Sequence, residues 1–298
     1  HILEGVGLNE AISYVLLSEE DASMLAADPE NYVRLRLPLS RERVILRQSL
    51  LPSFIEIVRY NQARGNQPIA FYETGKTYFG QGKKKLPREQ ENLAVILSGQ
   101  RQESTWYQDA ENFDFFDLKG IFESYFESIR LADAITYERV EDLEELHPSR
   151  AVRICLDGQA IGYLGQVHPS FAREHDVVRE TYFGEVNLEA LLDHERKSLQ
   201  QLPIPRYPST SRDLALLVSD QQVHEELVDV ITEHGGDSLI SVDLFDQYRG
   251  EGVGEGQQSL AYHLTFQSAT HTLQDKEVDG FMENITQALE TIEQLQIR

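Results

Sequence analysis

Two periods of apolar residues organise the last third of the chain. Leu260, Tyr262, Leu264 and Phe266 alternate with Ala261, His263 and Thr265, which predicts a strand over 259–267 with one buried and one open face. Val278, Phe281, Met282, Ile285, Leu289 and Ile292 recur at helical spacing, with Thr272 and Asp275 as an expected capping box ahead of them. Val223, Leu227, Val230 and Ile231 predict an earlier helix stopped by His234-Gly235-Gly236. Short apolar runs over 214–218 and 239–248 complete the strands, and 295–298 is expected to add an edge. The order βαββαβ predicts a ferredoxin-like domain, with helices on one face of an antiparallel sheet and the other face open.

Upstream the pattern is mixed. Helices are expected over 9–16, 19–27, 49–61 and 116–129. Strands are expected over 33–37, 69–74, 93–98, 152–156, 160–166 and 182–187. This reads as an α+β domain, an antiparallel sheet flanked by helices. Between the two parts Pro203, Pro205 and Pro208 fall within six residues and the periodicity stops, which marks an extended connector. The expected domains are 1–202 and 203–298.

Composition narrows the function classes. No apolar run approaches the roughly 20 residues of a membrane-spanning helix, so no membrane partner is expected. The start, HILEGVGLNE, lacks the pattern of a secretory signal, and the natural protein is expected to extend upstream. A lone cysteine, Cys155, fits a reducing cytoplasm and reads as a small buried residue on its strand. The 50 acidic and 27 basic side chains leave a net charge of -23, which on average repels polyphosphate. In 203–298 the imbalance is five basic against seventeen acidic. Any nucleic-acid function therefore needs local basic patches or a partner that supplies the phosphate contacts.

Motifs for catalysis are sparse. His147 and His168 each precede a proline and lack a second ligand at metal spacing, so no metal site is expected. No nucleophile elbow occurs. The glycine-rich stretch 250–256 is followed by a strand rather than a helix, and Glu251 and Glu255 would repel phosphate. It reads as a hairpin loop.

Nine phrases, in order, cover nearly the whole chain: GLNEAISYVL, PLSRERVILRQSLLPSFIEIVRYN, IAFYETGKTYF, FFDLKGIFE, LHPSRAVRI, IGYLGQVHP, RYPSTSRDLALLV, LFDQYRGEGVGEGQQSLAYHLTFQS and HTLQDKEVDG. Together they resemble the β subunit of bacterial phenylalanyl-tRNA synthetase. The resemblance implies a class II synthetase-like domain without an active site, followed by a ferredoxin-fold anticodon-binding domain. It also implies a catalytic α subunit as partner in an (αβ)2 heterotetramer, tRNA-Phe as a second partner, and ATP and Mg2+ as needs of the whole enzyme. No cofactor is expected in this chain, and the isolated chain is expected to be inactive. A class II active site holds the ATP phosphates with arginines. The strand at 69–78 offers Glu73 instead, and the segment 161–168 has Gly162 and Gly165 but no arginine.

Three functions remain to be weighed: a non-catalytic synthetase subunit, an independent adenylate-forming enzyme and a free-standing RNA-binding module. For tRNA contact the expected residues are Arg206, Arg212 and Arg249 on the anticodon-loop backbone. Phe245, Tyr248 and His263 are expected as stacking residues on the open sheet face, with core or hairpin packing as the equal alternative for the first two. Arg34, Arg36, Arg41, Arg43 and Arg47 fall within fourteen residues and are expected to form a basic face toward the α subunit or the tRNA acceptor end. Phe115 and Phe116, with Trp106 and Tyr107, read as core or as an apolar patch for the partner.

Overall fold

A computed structural model describes the chain except residues 26, 27, 83, 84, 141, 197–202, 251, 252, 255, 293 and 294. The boundary expected at 202, two of the three consecutive lysines at 83–85, and the two loop glutamates Glu251 and Glu255 lie outside the described residues. The chain divides into two compact units, 1–199 and 200–298.

The first unit runs α1 (Ile2–Gly5), β1 (Asn9–Glu10), β2 (Leu16–Leu17), β3 (Val33–Arg34), β4 (Ile45–Leu46), α2 (Leu51–Gln62), β5 (Ile69–Phe79) and β6 (Arg88–Ser98). It continues with β7 (Gln100–Gln102), β8 (Glu111–Asn112), α3 (Phe115–Ser128), β9 (Ile135–Arg139), β10 (Leu146–Leu156), β11 (Gln159–Val167), α4 (Pro169–Glu174), β12 (Thr181–Asn187) and α5 (Leu188–Asp193). Seven strands form one sheet in the order β1-β5-β6-β12-β11-β10-β9, antiparallel except where β1 joins β5.

The uninterrupted apolar run 93–97 in the carboxy-terminal half of β6 is explained by cover on both faces. Leu93, Val95 and Leu97 pack with Leu118, Phe122 and Phe126 of α3. Ala94 and Ile96 pack with Leu51, Phe54, Ile55 and Val58 of α2. Each such buried side chain contributes roughly 1.5–3 kcal/mol of transfer free energy. Pro52 sits in the first turn of α2, where its missing N–H costs nothing. Asp114 caps α3 in a reciprocal box with Asp117.

The helices expected over 9–16 and 19–27 are not there. Asn9 and Glu10 pair with Phe71 and Tyr72, Leu16 and Leu17 pair with β4, and only a short turn of 3-10 helix follows at Asp21–Ser23. Edge pairing onto β5 outweighs local helix propensity. Residues 26 and 27 of the second expected helix lie outside the described residues. The strand expected over 33–37 is paired only at Val33–Arg34.

The second unit runs β13 (Thr210–Ser219), α6 (His224–His234), β14 (Leu239–Tyr248), β15 (Gln257–Phe266), α7 (Asp275–Leu289) and β16 (Gln296–Ile297). Its antiparallel sheet has the order β14-β15-β13-β16, the ferredoxin-like topology. Leu214, Leu216, Val218, Leu260, Tyr262, Leu264 and Phe266 face Leu227 and Ile231 of α6 and Val278, Ile285 and Leu289 of α7. The cap of α7 is Gln274 with Glu277, not Thr272 with Asp275. Thr270 and His271 are held by Ser268, and His271 in turn meets Glu277 at 2.9 Å, so the helix starts later.

Candidate nucleic-acid interface

The two faces with functional potential differ in kind: one sheet face in the first unit is filled, and one in the second is open. In the first unit, strand register lines up Glu73 (β5), Ala94 (β6), Glu185 (β12) and Tyr163 (β11) in one transverse row. Both carboxylates are buried, and both are satisfied from within. Arg47 Nη2 donates to Glu73 Oε1 at 2.7 Å, and Ser13 Oγ donates to Glu73 Oε2 at 2.6 Å. Arg47 also donates from Nε to the Lys76 carbonyl at 3.0 Å and from Nη1 to Ser13 Oγ at 2.7 Å. Glu185 Oε2 accepts from Ser49 Oγ at 2.6 Å, Tyr163 Oη at 2.8 Å and the Leu50 amide at 3.1 Å, while Oε1 accepts from Asn92 Nδ2 at 2.6 Å. Burial, and then the charge of Glu185, hold the Tyr163 hydroxyl well above its ordinary pKa. Gly75 leaves the space that the Arg47 guanidinium occupies, since a Cβ there would run into Nη2.

Arg47 is therefore not part of an exposed basic face: its residue is 1% exposed, and it belongs to this interior network. The other four arginines of that group do lie outside. Arg34 pairs with Glu19, and Arg43 makes a two-pronged bond to Glu56 at 2.8 and 3.0 Å while lying over the Tyr14 ring. Arg36 and Arg41 are exposed and have no ionic partner among the described residues. Trp106, Tyr107 and Phe116 are exposed, not core.

On the open face of the second unit, register places Asp213, His263 and Asp243 in one row across β13, β15 and β14. His263 Nδ1 and Asp213 Oδ1 are 2.6 Å apart. Pairing steps from Leu244↔Tyr262 to Asp246↔Ala261, so Phe245 is the extra residue of a bulge. The bulge turns its ring, 58% exposed, edge-on to His263 with centroids 6.5 Å apart. Tyr248, opposite Ser259, is also exposed. The expected stacking residues thus share one face, and Phe245 and Tyr248 do not pack into the core.

The arginines are distributed differently from that expectation. Arg212 has the same strand parity as Leu214, so it points to the helix side of β13 and pairs with Asp275 at 3.0 Å and Asp279 at 3.7 Å. Arg249 holds the buried Gln258 through Nη2 at 2.8 Å and Nε at 3.2 Å. Arg206 is exposed ahead of β13. Sequence reading misses the carboxylates Asp213, Asp243 and Asp246: alternation with Leu214 and with Val242 and Leu244 assigns the first two to the open face, whereas only the bulge at Phe245 brings Asp246 there, opposite Ala261. Among the described residues no group of three or more histidine, cysteine or acidic side chains could hold a metal ion. No helix among them is long and apolar enough to cross a membrane.

Two family models match this chain: the phenylalanyl tRNA synthetase beta chain CLM domain over residues 1–188 and the ferredoxin-fold anticodon binding domain over 205–298. Curated proteins called phenylalanine–tRNA ligase beta subunit are similar throughout. That of Listeria innocua serovar 6a is 41% identical over 97% of this chain, and that of Streptococcus thermophilus is 41% identical over 97%. That of Geobacillus kaustophilus is 38% identical over 97%. The chain spans 36% of the length of each of these relatives. With family models covering both units in order, the chain belongs to the phenylalanyl-tRNA synthetase β-chain family.

Proposed function

We propose that this chain is the carboxy-terminal portion of the β subunit of a phenylalanine–tRNA ligase that works in the cytoplasm as an (αβ)2 heterotetramer. Its first unit is a scaffold for the catalytic α subunit, and its second unit contacts tRNA-Phe. The observation that carries the scaffold reading is the filled row Glu73–Ala94–Glu185–Tyr163. An ATP phosphate needs a guanidinium with free donors in an accessible site. Arg47 is buried and committed to Glu73, Ser13 and Lys76, so these residues do not fit ATP. ATP and Mg2+ are assigned to the α subunit.

The second unit supports contact with unpaired bases better than contact with phosphate. Its open face offers Phe245, Tyr248 and His263 for stacking, and stacking depends little on charge. Carboxylates at Asp213, Asp243 and Asp246 repel phosphate but match amino and imino donors on base edges. Arg206 and Arg249, at the margins, are the residues assigned to the anticodon-loop backbone. Arg212 is assigned a weaker part, because Asp275 and Asp279 already neutralise it.

The test is size-exclusion chromatography with light scattering on this chain, alone and mixed with the cognate α subunit, followed by titration of tRNA-Phe. A stable complex and saturable tRNA binding are expected. Phenylalanine-dependent ATP–pyrophosphate exchange by the chain alone would overturn the scaffold reading, and sequence-blind RNA binding without α association would favour a free-standing RNA-binding module.

A further inference from the structure

Two short phrases of this chain are near copies: Leu146-His147-Pro148-Ser149 and Val167-His168-Pro169-Ser170. The fold brings them side by side. Leu146 pairs with Val167 across β10 and β11, and the His168 amide donates to the Glu145 carbonyl at 2.7 Å. The two imidazoles, both half-buried, stack with centroids 6.0 Å apart and planes 27° from parallel. Each proline holds the histidine before it extended, and the ring turns back onto the amide two residues ahead. His147 Nδ1 accepts from the Ser149 amide at 3.2 Å. His168 Nδ1 accepts from the Ser170 amide at 3.2 Å and lies 2.6 Å from Ser170 Oγ. A backbone N–H can only donate, so Nδ1 is the acceptor in both rings and the ring proton sits on Nε2. Neither Nε2 has a hydrogen-bond or ionic partner among the described residues.

That tautomer decides what the pair can hold. A metal ion needs the Nε2 lone pair, which would move the proton to Nδ1 and point it at a serine amide, so the rings do not suit a metal. Two N–H donors with no acceptor between them select an oxyanion. Arg150, exposed and just past the first phrase, adds a cation. Its Nη1 donates to Gln166 Oε1 at 2.9 Å, two residues before His168, and it has no acidic partner among the described residues. A planar carboxylate offers two oxygens in one plane, whereas a tetrahedral phosphate meets donors arriving from several sides. We infer that His147, His168 and Arg150 form a clamp for a phosphate group, carried either by an RNA backbone or by a small phosphate compound. Donors fixed by their own turns hold a phosphate without a broad positive field, which a chain of net charge -23 does not offer.

The experiment follows the side-chain NMR resonances of His147 and His168 in this chain as inorganic phosphate, acetate at equal ionic strength, and tRNA-Phe are added in separate titrations. Phosphate is expected to shift both histidines saturably, and acetate is not. Arg150→Gln changes an exposed side chain and should weaken phosphate binding about tenfold, the effect of losing one charge-assisted hydrogen bond. His147→Gln/His168→Gln should abolish saturation. If tRNA-Phe shifts the same resonances and Arg150→Gln lowers tRNA affinity about tenfold, the clamped phosphate belongs to RNA. If phosphate shifts them and tRNA affinity is unchanged in the variant, the ligand is a small phosphate compound. The wild-type titration needs no variant, so misfolding of the double variant leaves the test intact. Equal shifts with acetate, or no saturable shift with phosphate, would overturn the clamp, and both results leave the proposed subunit function as it stands.

Discussion

Arg47 and Glu73 meet at 2.7 Å with both side chains buried, on a sheet face that helix α2 covers. Two charges withdrawn from water are tolerable only because every remaining donor and acceptor around them is used: Ser13 bridges the pair, and the Lys76 carbonyl takes Nε. Removing one partner strands the other. Arg47→Ala is expected to destabilise the first unit by about 3–5 kcal/mol, whereas replacing both with apolar residues of similar volume should cost much less. Urea denaturation of the two variants checks this. Equal losses from the single and double replacements would show that the pair is not the relevant interaction.

The second relationship is titratable. His194 Nε2 and Asp157 Oδ2 lie 2.8 Å apart, joining the end of α5 to the β10–β11 turn. The hydrogen bond to Asp157 is the main cause that raises the pKa of His194 above its ordinary value. A raised folded-state pKa means the contribution is fully present below the unfolded value of about 6.5 and is lost as pH rises through the folded-state value. The expected NMR titration midpoint of His194 is above about 6.5, and Asp157→Asn should bring it back down. A midpoint that does not move in Asp157→Asn would rule out Asp157 as the cause.

Much of this fold is legible in the sequence. In the second unit period-2 alternation marks β15 and helical spacing marks both helices, because a core on one side only enforces those periods, while β13 shows as a short apolar run and β16 only as a short tail. In the first unit β6 shows in its apolar run, whereas the strands of the opening segment do not show in the sequence. Residues 9–17 have no strong period, and the tertiary pairing of Asn9 with Phe71 decides their conformation. Arg47 was misassigned for a related reason. It sits in a run of surface arginines, and only the fold brings Glu73, Ser13 and Lys76 around it. The inward direction of Arg212, by contrast, was already written in the alternation that buries Leu214 and Leu216.

That direction changes what charge reversal at Arg212 should do. Placed between Asp275 and Asp279, a glutamate meets like charge at the first turn of α7 instead of a cation. Arg212→Glu is expected to lower the melting temperature of the second unit, with tRNA affinity falling only as far as the folded fraction falls. Arg212→Gln should leave affinity near wild type. Calorimetry paired with tRNA titration checks this, and an affinity loss in fully folded Arg212→Gln would return Arg212 to the RNA contacts.

The open face gives the sharpest test of RNA contact. Phe245 projects from the bulge toward His263, and Tyr248 lies exposed farther along β14, so neither ring contributes to the core. Stacking one base on an aromatic ring stabilises a complex by about 1–3 kcal/mol, which is roughly 5- to 150-fold in affinity. Phe245→Ala and Tyr248→Ala are each expected to weaken tRNA-Phe binding within that range while leaving the melting temperature of the second unit unchanged. Because the surrounding Asp213, Asp243 and Asp246 repel phosphate, wild-type binding should depend on salt less steeply than binding through lysine and arginine contacts does. Filter binding across a salt series measures both effects at once. Unchanged affinity in the Phe245→Ala/Tyr248→Ala double variant would mean that the open face is not where the bases sit.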